Sequence, residues 1–203
     1  MAGLKIERQL LRTGCRTVAG VDEVGRGALF GPVVAVALVL PSAWFLRRPP
    51  SWAAKIHDSK LVPPTKRVEL AGLLLREADA LGIGTASSAE IDEMNIYWAT
   101  QEAMKRAIDS LAVPVDCFLV DGYPLKEVQY RQMGIPQGDR KSVSIAAASI
   151  VAKVFRDGLM DAFDAVYGGY GLARNKGYGT EEHFRGLRTH GPTGLHRMSF
   201  KLG

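Results

Sequence analysis

Runs of apolar and β-branched residues alternate along the chain with stretches whose apolar positions recur every three to four residues. The runs predict buried strands, and the recurring positions predict helices with one apolar face. Predicted strands cover residues 17–22, 33–40, 82–86 and 116–120, and a short polar strand is predicted around 127–134. One predicted helix begins at residue 64. Three others cover residues 87 to about 111, about 142 to 167, and 180 to 189. This order predicts an α/β fold, a mixed sheet flanked by helices on both faces.

Local signals mark breaks and close contacts within this pattern. Residues 87–90 have the spacing of a capping box, and the helix after them is expected to break near Asn95. Four small residues at 146–149 let the long helix pack closely against another element. The tail is rich in glycine, so we expect about 168–203 to form a small helical C-terminal extension of one domain spanning 1–203.

The composition is typical of a soluble globular protein, and its positive charge favours a polyanionic partner only modestly, since many basic proteins bind no nucleic acid. Of the 203 residues, 47% are hydrophobic and 23% are charged, which suits one substantial core. The formal net charge of +5 favours a polyanionic partner. Two cysteines, Cys15 and Cys117, are too few for a disulfide framework, so we expect a reducing, cytoplasmic location.

One uncharged stretch has to be distinguished from a membrane span. Residues 28–46 carry no charge, and the length of this stretch is close to the roughly 18 residues that cross a bilayer. Glycine, proline and serine interrupt this stretch, and only residues 33–40 are continuously apolar. That length suits a buried strand, so we expect a soluble protein with no membrane contact.

The most informative segment is VAGVDEVGRG at residues 18–27. Two adjacent carboxylates, Asp22 and Glu23, follow the apolar run, and oxygen ligands of this kind suit hard divalent cations. The glycines on either side of Arg26 let backbone N–H groups approach a phosphate or sugar, and Arg26 itself is suited to phosphate. The segment therefore indicates phosphodiester chemistry.

The same segment, taken alone, is equally compatible with an ordinary loop. Acidic residues before a glycine turn are common there. Neighbouring side chains on a strand also point to opposite faces of the sheet. Asp22 and Glu23 can therefore share one metal only if the strand ends there and the backbone turns.

Two further acids stand at element boundaries. Asp121 follows the apolar run at 116–120, and Asp139 precedes the long helix. Ligands of open α/β sheets bind outside the carboxyl ends of strands, so these acids could converge with Asp22 and Glu23 around two cations. Taken singly, Asp121 is equally explained as a turn residue and Asp139 as a helix N-cap or loop acid.

Ordered motifs along nearly the whole chain resemble those of the type 2 ribonucleases H, ribonuclease HII in particular. They are GVDEVGRG at 20–27, DSKL at 58–61, VDG at 120–122, GDRKS at 138–142, AAASIVAKV at 146–154, YGL at 170–172, KGYGT at 176–180, EH at 182–183, GP at 191–192 and HRMSF at 196–200. The resemblance implies a ribonuclease H-like fold. It also implies metal-binding and catalytic roles for Asp22, Glu23, Asp121 and Asp139.

The cofactor that the resemblance implies is Mg²⁺ or Mn²⁺, with a two-metal mechanism. Nucleic-acid contacts are implied for Gly25, Arg26 and Gly27 at the 2′-hydroxyl, for Lys60 at a phosphate, and for Tyr178 at the RNA-to-DNA junction. Asp157 is a further acid on the long helix, which we expect to be a solvated surface residue because an arginine precedes it.

The implied activity is that of an endoribonuclease. It would cleave the RNA strand of RNA–DNA hybrids and nick DNA duplexes on the 5′ side of embedded ribonucleotides, leaving a 3′-hydroxyl and a 5′-phosphate. The implied cellular role is the removal of ribonucleotides and RNA primers in DNA replication and repair. We expect the protein to act as a monomer.

Several other functions have to be weighed against this one. Ribonuclease HIII shares the fold but usually carries an extra N-terminal domain, and only sixteen residues precede the first predicted strand. A junction resolvase would not need a turn that senses the 2′-hydroxyl. A binding module without catalysis predicts a missing acid, yet all four are present. His183, His190 and His196 lack the spacing of a zinc site, so none is predicted.

Overall fold

A five-stranded mixed sheet forms the centre of the protein, whose computed structural model describes residues 2–203. The strands are β1 (Val18–Val24), β2 (Val33–Val39), β3 (Ala80–Ala86), β4 (Cys117–Asp121) and β5 (Gln132–Ile135). Their order across the sheet is β3-β2-β1-β4-β5. The first three pair antiparallel, whereas β4 pairs parallel to both β1 and β5. The predicted fold class, a mixed sheet flanked by helices, is confirmed.

Helices cover both faces of this sheet. They are α1 (Lys5–Arg12), α2 (Ala43–Leu46), α3 (Pro64–Glu77), α4 (Ser88–Asp109), α5 (Gly138–Lys141), α6 (Val143–Val166), α7 (Leu172–Asn175) and α8 (Glu181–His190), with a 3₁₀ helix at Ser51–Lys55. Alternation along β2 sends Val36 and Leu38 to the core beneath α3 and α6, and Ala35 and Ala37 to the core beneath α4.

The long helix α6 lies directly against the central strand. A Cβ at Gly20 of β1 would lie 2.1 Å from the carbonyl carbon of Ser144, so only glycine permits this approach. The small residues predicted to allow close packing, 146–149, are buried along the same helix. This contact brings the middle of α6 to the end of the sheet where β1 and β4 finish.

Helix α4 has the predicted capping box and the predicted break. Ser87 Oγ accepts from the Glu90 N–H (3.2 Å), and Glu90 Oε2 accepts from the Ser87 N–H (2.9 Å). Asn95 has a φ of 67° inside the helix, and its side chain accepts from the N–H of Tyr97 (2.9 Å). Asn95 thus ends one helical segment and caps the next.

Several short elements were not predicted, because tertiary contacts hold them. Helix α1 has a charged sequence, yet Glu7 is fully buried and accepts from Ser142 Oγ (2.6 Å) and the Ser144 N–H (3.1 Å). Helix α2 buries Trp44 and Phe45 in a stretch where no helix was predicted. Strand β5 is also shorter than the predicted run at 127–134.

The C-terminal residues pack against the turn that follows β1. Phe30, Met160 and Tyr170 form a buried cluster with residues of α7 and α8. Phe30 also pairs with His196 in an isolated antiparallel bridge. Across residues 2–203, the helices are all too short or too polar to span a membrane.

Candidate active site

A cleft of about 850 Å³ opens at the end of the sheet where β1 and β4 finish. Every residue that the sequence predicts for the site lines this one cleft. These residues are Asp22, Glu23, Asp121, Asp139, Gly25, Arg26, Gly27, Lys60 and Tyr178.

Three of the acids form a close group. Carboxylate oxygens of Asp22, Glu23 and Asp121, one from each, lie within 4.8 Å of one another. Val21 of β1 lies opposite Val120 of the parallel strand β4, so Asp22 and Asp121 are the next residues on neighbouring strands. Parallel pairing therefore places their carboxylates side by side at the edge of the sheet.

Glu23 joins this group although β1 does not end at Asp22. The strand continues to Val24 in register with β2, whereas its pairing with β4 stops at Val21. The edge of β1 beyond Val21 is therefore open to the cleft, and there the Glu23 N–H donates to Asp22 Oδ1 (2.8 Å). The expectation that the strand must end at Asp22 is wrong, because an open edge lets both side chains reach the same space.

Asp139 lines the same cleft from α5 but is not within the close group of three. The Gly138 N–H donates to Asp121 Oδ1 (2.6 Å), which fixes α5 to the end of β4. The residue in the N-cap position of α5 is Gln137, so the helix-cap explanation of Asp139 does not apply. Burial, followed by the charges of Asp58 and Asp121, raises the pKa of Asp139.

Charge repulsion makes this cluster fit a divalent cation. Burial, and then the charges of Glu23 and Asp121, raise the pKa of Asp22 well above its usual range. Burial also raises the pKa of Glu23, although Arg26, 3.5 Å away, opposes the shift. Mg²⁺ and Mn²⁺ prefer hard oxygen ligands, and a cation would relieve the repulsion. The residues present therefore suit such an ion.

The raised pKa of Asp22 predicts a pH dependence of stability in EDTA. The folded state holds the Asp22 proton more tightly than the unfolded state, so the group favours folding at low pH. This contribution is lost as the pH rises from the ordinary pKa of 3.8 through the raised value. The neutral variant Asp22→Asn has no such loss.

We therefore expect the melting temperature of Asp22→Asn, minus that of the unchanged protein, to increase from about pH 4 to about pH 8. Acids remote from Asp22 are common to both proteins and cancel in this difference, whereas the substitution also relieves the repulsion between Asp22 and its neighbours Glu23 and Asp121, which acts in the same direction. A difference that stays constant over this range would contradict the buried, repelled state of Asp22.

Gly25 and a fully buried arginine fix the start of the glycine turn. Gly25 has a φ of 92°, and a Cβ there would lie 2.1 Å from Arg156 Nε. The Arg156 side chain is completely shielded from solvent. Its nitrogens donate to the carbonyl oxygens of Pro32 (3.1 Å), Lys176 (2.8 Å) and Phe30 (3.1 Å).

A second buried arginine holds the rest of the turn. Arg197 Nη1 donates to the Arg26 carbonyl (2.8 Å), and Nε donates to the Gly31 carbonyl (3.0 Å). Burial, and then the charge of Arg156, lowers the pKa of Arg197 to about 9. Sequence reasoning missed both arginines because this residue type is usually exposed.

Tyr178 stands beside this turn at the rim of the cleft. The residue is 36% exposed, and a Cβ at Gly27 would lie 3.8 Å from Tyr178 Cε1. The guanidinium carbon of Arg156 lies 5.7 Å from the centre of the ring. The aromatic face and the backbone of the turn therefore border the same part of the cleft.

Lys60 enters the cleft from a loop that buried polar contacts hold. Asp58 accepts from the Lys60 N–H (3.0 Å) and forms an ion pair with Arg140 (3.1 Å). Ser59 Oγ shares a hydrogen bond with Ser149 Oγ of α6 (2.9 Å). These contacts fix the backbone from which the Lys60 side chain extends.

Asp157 is outside the residues that line the cleft, and it is not the solvated residue we expected. Its side chain is 18% exposed and forms ion pairs with Lys153 (2.7 Å) and Arg67 (3.3 Å). The expectation is wrong because Arg67 of α3 packs against α6. Asp157 therefore links two helices.

Two further apolar residues contribute to the wall of the cleft, and the sequence analysis assigned neither to the site, although Phe200 closes the HRMSF motif. Ile96 follows the break in α4, and Phe200 belongs to the C-terminal segment. Asp92 accepts from the N–H groups of Met198 and Ser199 (both 2.9 Å), which fixes the backbone just before Phe200. Their positions depend on long-range contacts, so a local pattern could not reveal them.

Comparison with known proteins gives evidence about the family and the fold of this chain. The sequence profile described as Ribonuclease HII matches residues 19–203. The chain is 51% identical to the ribonuclease HII of Moorella thermoacetica over 96% of this chain and 91% of that protein. It is 49% identical to the ribonuclease HII of Synechococcus sp. over 97% and 87% of the two chains. Its fold is similar to the crystal structure of ribonuclease H2 from Pyrococcus horikoshii, with a TM-score of 0.72, 26% identity and coverage of 92% and 94%.

Proposed function

Because the chain belongs to the ribonuclease HII family and is therefore an endoribonuclease of the ribonuclease H type, we propose a specific reaction for it. With a divalent metal, it cleaves the RNA strand of RNA–DNA hybrids and nicks DNA duplexes 5′ of an embedded ribonucleotide. The products carry a 3′-hydroxyl and a 5′-phosphate. The observation that carries this proposal is the group of Asp22, Glu23 and Asp121 beside the Gly25–Gly27 turn.

The acids of the cleft are the proposed metal ligands. Asp22, Glu23 and Asp121 supply a compact set of oxygens, and Asp139 adds a fourth carboxylate at the side of the cleft. When bound by these residues, Mg²⁺ or Mn²⁺ would supply activation of a water molecule and charge stabilisation of the leaving oxygen, and two ions would suit this chemistry best. Burial of Asp22 and partial burial of Glu23 and Asp121 would strengthen their attraction for a cation.

The turn and Tyr178 are the proposed readers of the ribonucleotide. The 2′-hydroxyl is the one group that distinguishes RNA from DNA at a given position. Gly25 and Gly27 have no side chain to block their backbone groups, and Arg156 and Arg197 hold that backbone in one conformation. A rigid row of backbone donors and acceptors can distinguish a hydroxyl from a hydrogen.

The cations at the rim are the proposed phosphate contacts. Lys60, Arg26 and Lys153 line the cleft, and Arg26 is largely solvent-exposed. Phosphate contacts position a duplex without reading its sequence. We therefore propose binding that tolerates any sequence and weakens with salt. Removal of ribonucleotides and RNA primers from DNA is the cellular role that follows, by a protein proposed to act as a cytoplasmic monomer.

The direct test is a cleavage assay on three labelled duplexes. One is DNA with a single ribonucleotide, one is an RNA–DNA hybrid, and one is all DNA. We expect a nick just 5′ of the ribonucleotide, with Mg²⁺ or Mn²⁺ and not with EDTA, and no cleavage of all-DNA duplex. Cleavage of the hybrid alone would overturn the proposed action on single ribonucleotides, and tight binding without cleavage would overturn catalysis.

Truncation of Tyr178 should affect the two substrates unequally. We expect Tyr178→Ala to lower kcat/KM on the single-ribonucleotide duplex by about tenfold to a hundredfold, because a stacking contact of about 1–3 kcal/mol is lost. The loss on a continuous hybrid should be smaller, since it offers no junction for the ring to recognise. Tyr123→Ala, which truncates an exposed tyrosine outside the cleft, is the matched control. Equal losses on both substrates would contradict junction recognition.

A further inference from the structure

Two buried histidines connect the C-terminal segment to the backbone of Tyr178. His183 of α8 and His196 are 0% and 1% exposed, and their Nε2 atoms lie 3.1 Å apart. His183 Nδ1 lies 3.1 Å from the Tyr178 carbonyl oxygen. The Thr193 N–H donates to His196 Nδ1 (2.9 Å). Four residues therefore form one continuous chain of hydrogen bonds that ends at the rim of the cleft.

The partners of this chain determine where its protons lie. A carbonyl oxygen only accepts, so His183 Nδ1 carries a hydrogen and His183 Nε2 does not. A backbone N–H only donates, so His196 Nδ1 has no hydrogen and His196 Nε2 has one. The His196 Nε2–H therefore donates to His183 Nε2. Both rings are neutral, and all four ring nitrogens are used.

The surroundings of the pair favour this neutral arrangement. Burial lowers the pKa of His183, and burial together with the neighbouring His183 lowers the pKa of His196 to about 4. The rings of Phe30 and Tyr170 each lie 5.0 Å from the His196 ring. Both histidines are thus held in one orientation by packing and by hydrogen bonds.

The backbone of Tyr178 is held on both sides of the residue. Its N–H donates to the Asn175 carbonyl (3.0 Å), and its carbonyl accepts from His183 and from the Thr180 N–H (2.8 Å). Among the hydrogen bonds of the Tyr178 backbone, the His183 contact is the one that comes from a buried side chain of another element. Its loss would leave the Tyr178 carbonyl held by the Thr180 N–H alone.

We propose that the His183–His196 pair is a positioning device that sets the place of the Tyr178 ring and so the preference for a single ribonucleotide over a continuous hybrid. This inference rests on the proposed function, because it concerns how that same site reads its substrate. Neither histidine lines the cleft, so both act through Tyr178 and not on the substrate.

The test compares three variants of the full chain. His183→Leu removes both nitrogens, whereas His183→Asn keeps a donor near the position of Nδ1 and so the contact with the Tyr178 carbonyl. His196→Asn keeps the acceptor for the Thr193 N–H but loses the donor to His183. His190→Asn, at the exposed end of the same helix, is the matched control.

We expect His183→Leu to lower kcat/KM on the single-ribonucleotide duplex by about tenfold more than on the hybrid. For His183→Asn, the ratio of kcat/KM on the single-ribonucleotide duplex to kcat/KM on the hybrid should lie within about threefold of that of the unchanged protein. His196→Asn should shift this ratio in the same direction as His183→Leu. Thermal unfolding of each variant establishes that it is folded. If His183→Leu does not fold, the ratio measured for His196→Asn decides the proposal.

An unchanged ratio in folded His183→Leu or His196→Asn would overturn the proposal, as would equal losses on both substrates. Failure of the proposed function has a different signature, because the unchanged protein would then not nick the single-ribonucleotide duplex at all.

Discussion

Asp22→Asn should lower the cleavage rate by at least about a thousandfold on every substrate, because it removes the charge of a proposed metal ligand from the close group of acids. Duplex affinity should change little, since Lys60, Arg26 and Tyr178 remain. The substitution should also stabilise the protein in EDTA, because it removes a buried carboxylate whose charge the fold disfavours. Single-turnover cleavage, equilibrium binding and thermal unfolding measure the three quantities.

The control for this variant is Asp164→Asn, which changes an acid near the end of α6 outside the residues that line the cleft. Its cleavage rate should equal that of the unchanged protein. Added Mg²⁺ or Mn²⁺ should raise the melting temperature of the unchanged protein more than that of Asp22→Asn. Cleavage by Asp22→Asn at the normal rate would remove Asp22 from the metal site.

Arg156→Met should lower the free energy of unfolding by about 3–5 kcal/mol, which is among the largest effects of a single substitution. Methionine fills part of the space but leaves the carbonyls of Phe30, Pro32 and Lys176 without the donors they have now. The free energy of unfolding of Arg156→Lys should lie between those of the unchanged protein and Arg156→Met, because one ammonium group cannot make all the hydrogen bonds of a planar guanidinium group. Denaturant unfolding in EDTA measures the change.

The matched control is Arg76→Met, at an exposed position of α3, where we expect a change within about 0.5 kcal/mol. A loss below about 1 kcal/mol in Arg156→Met would contradict the network of three hydrogen bonds. Folded Arg156→Met should also cleave more slowly, because Gly25 would lose the side chain on which its backbone rests.

The sequence was sufficient to predict those parts of the fold whose cause is local. Apolar runs marked four of the five strands, whereas β5 lies at the end of the polar run predicted around 127–134. The capping box at Ser87 and the break at Asn95 are both present in α4. The acids of the cleft could be found because strand ends and element boundaries are visible in the pattern. Their family motifs pointed to the same residues, and the structure gathers Asp22, Glu23 and Asp121 into one group.

What could not be predicted depends on contacts between distant parts of the chain. The open edge of β1 exists only because β4 stops pairing one residue before Asp22, and no local pattern shows where pairing stops. The buried states of Glu7, Arg156 and Arg197 contradict the usual exposure of charged residues. Each can be buried because it forms a hydrogen bond with a partner more than a hundred residues away in the sequence.

The bond from Arg197 to the Arg26 carbonyl spans 171 residues of sequence, and it bears on the order in which the molecule assembles. During synthesis, strands β1 and β2 leave the ribosome long before the segment that holds the turn between them. Contacts of such separation form late, since a long loop must close first. A nascent chain would therefore acquire its sheet before the turn between β1 and β2 is held in place, and nuclease activity would be among the last properties to appear.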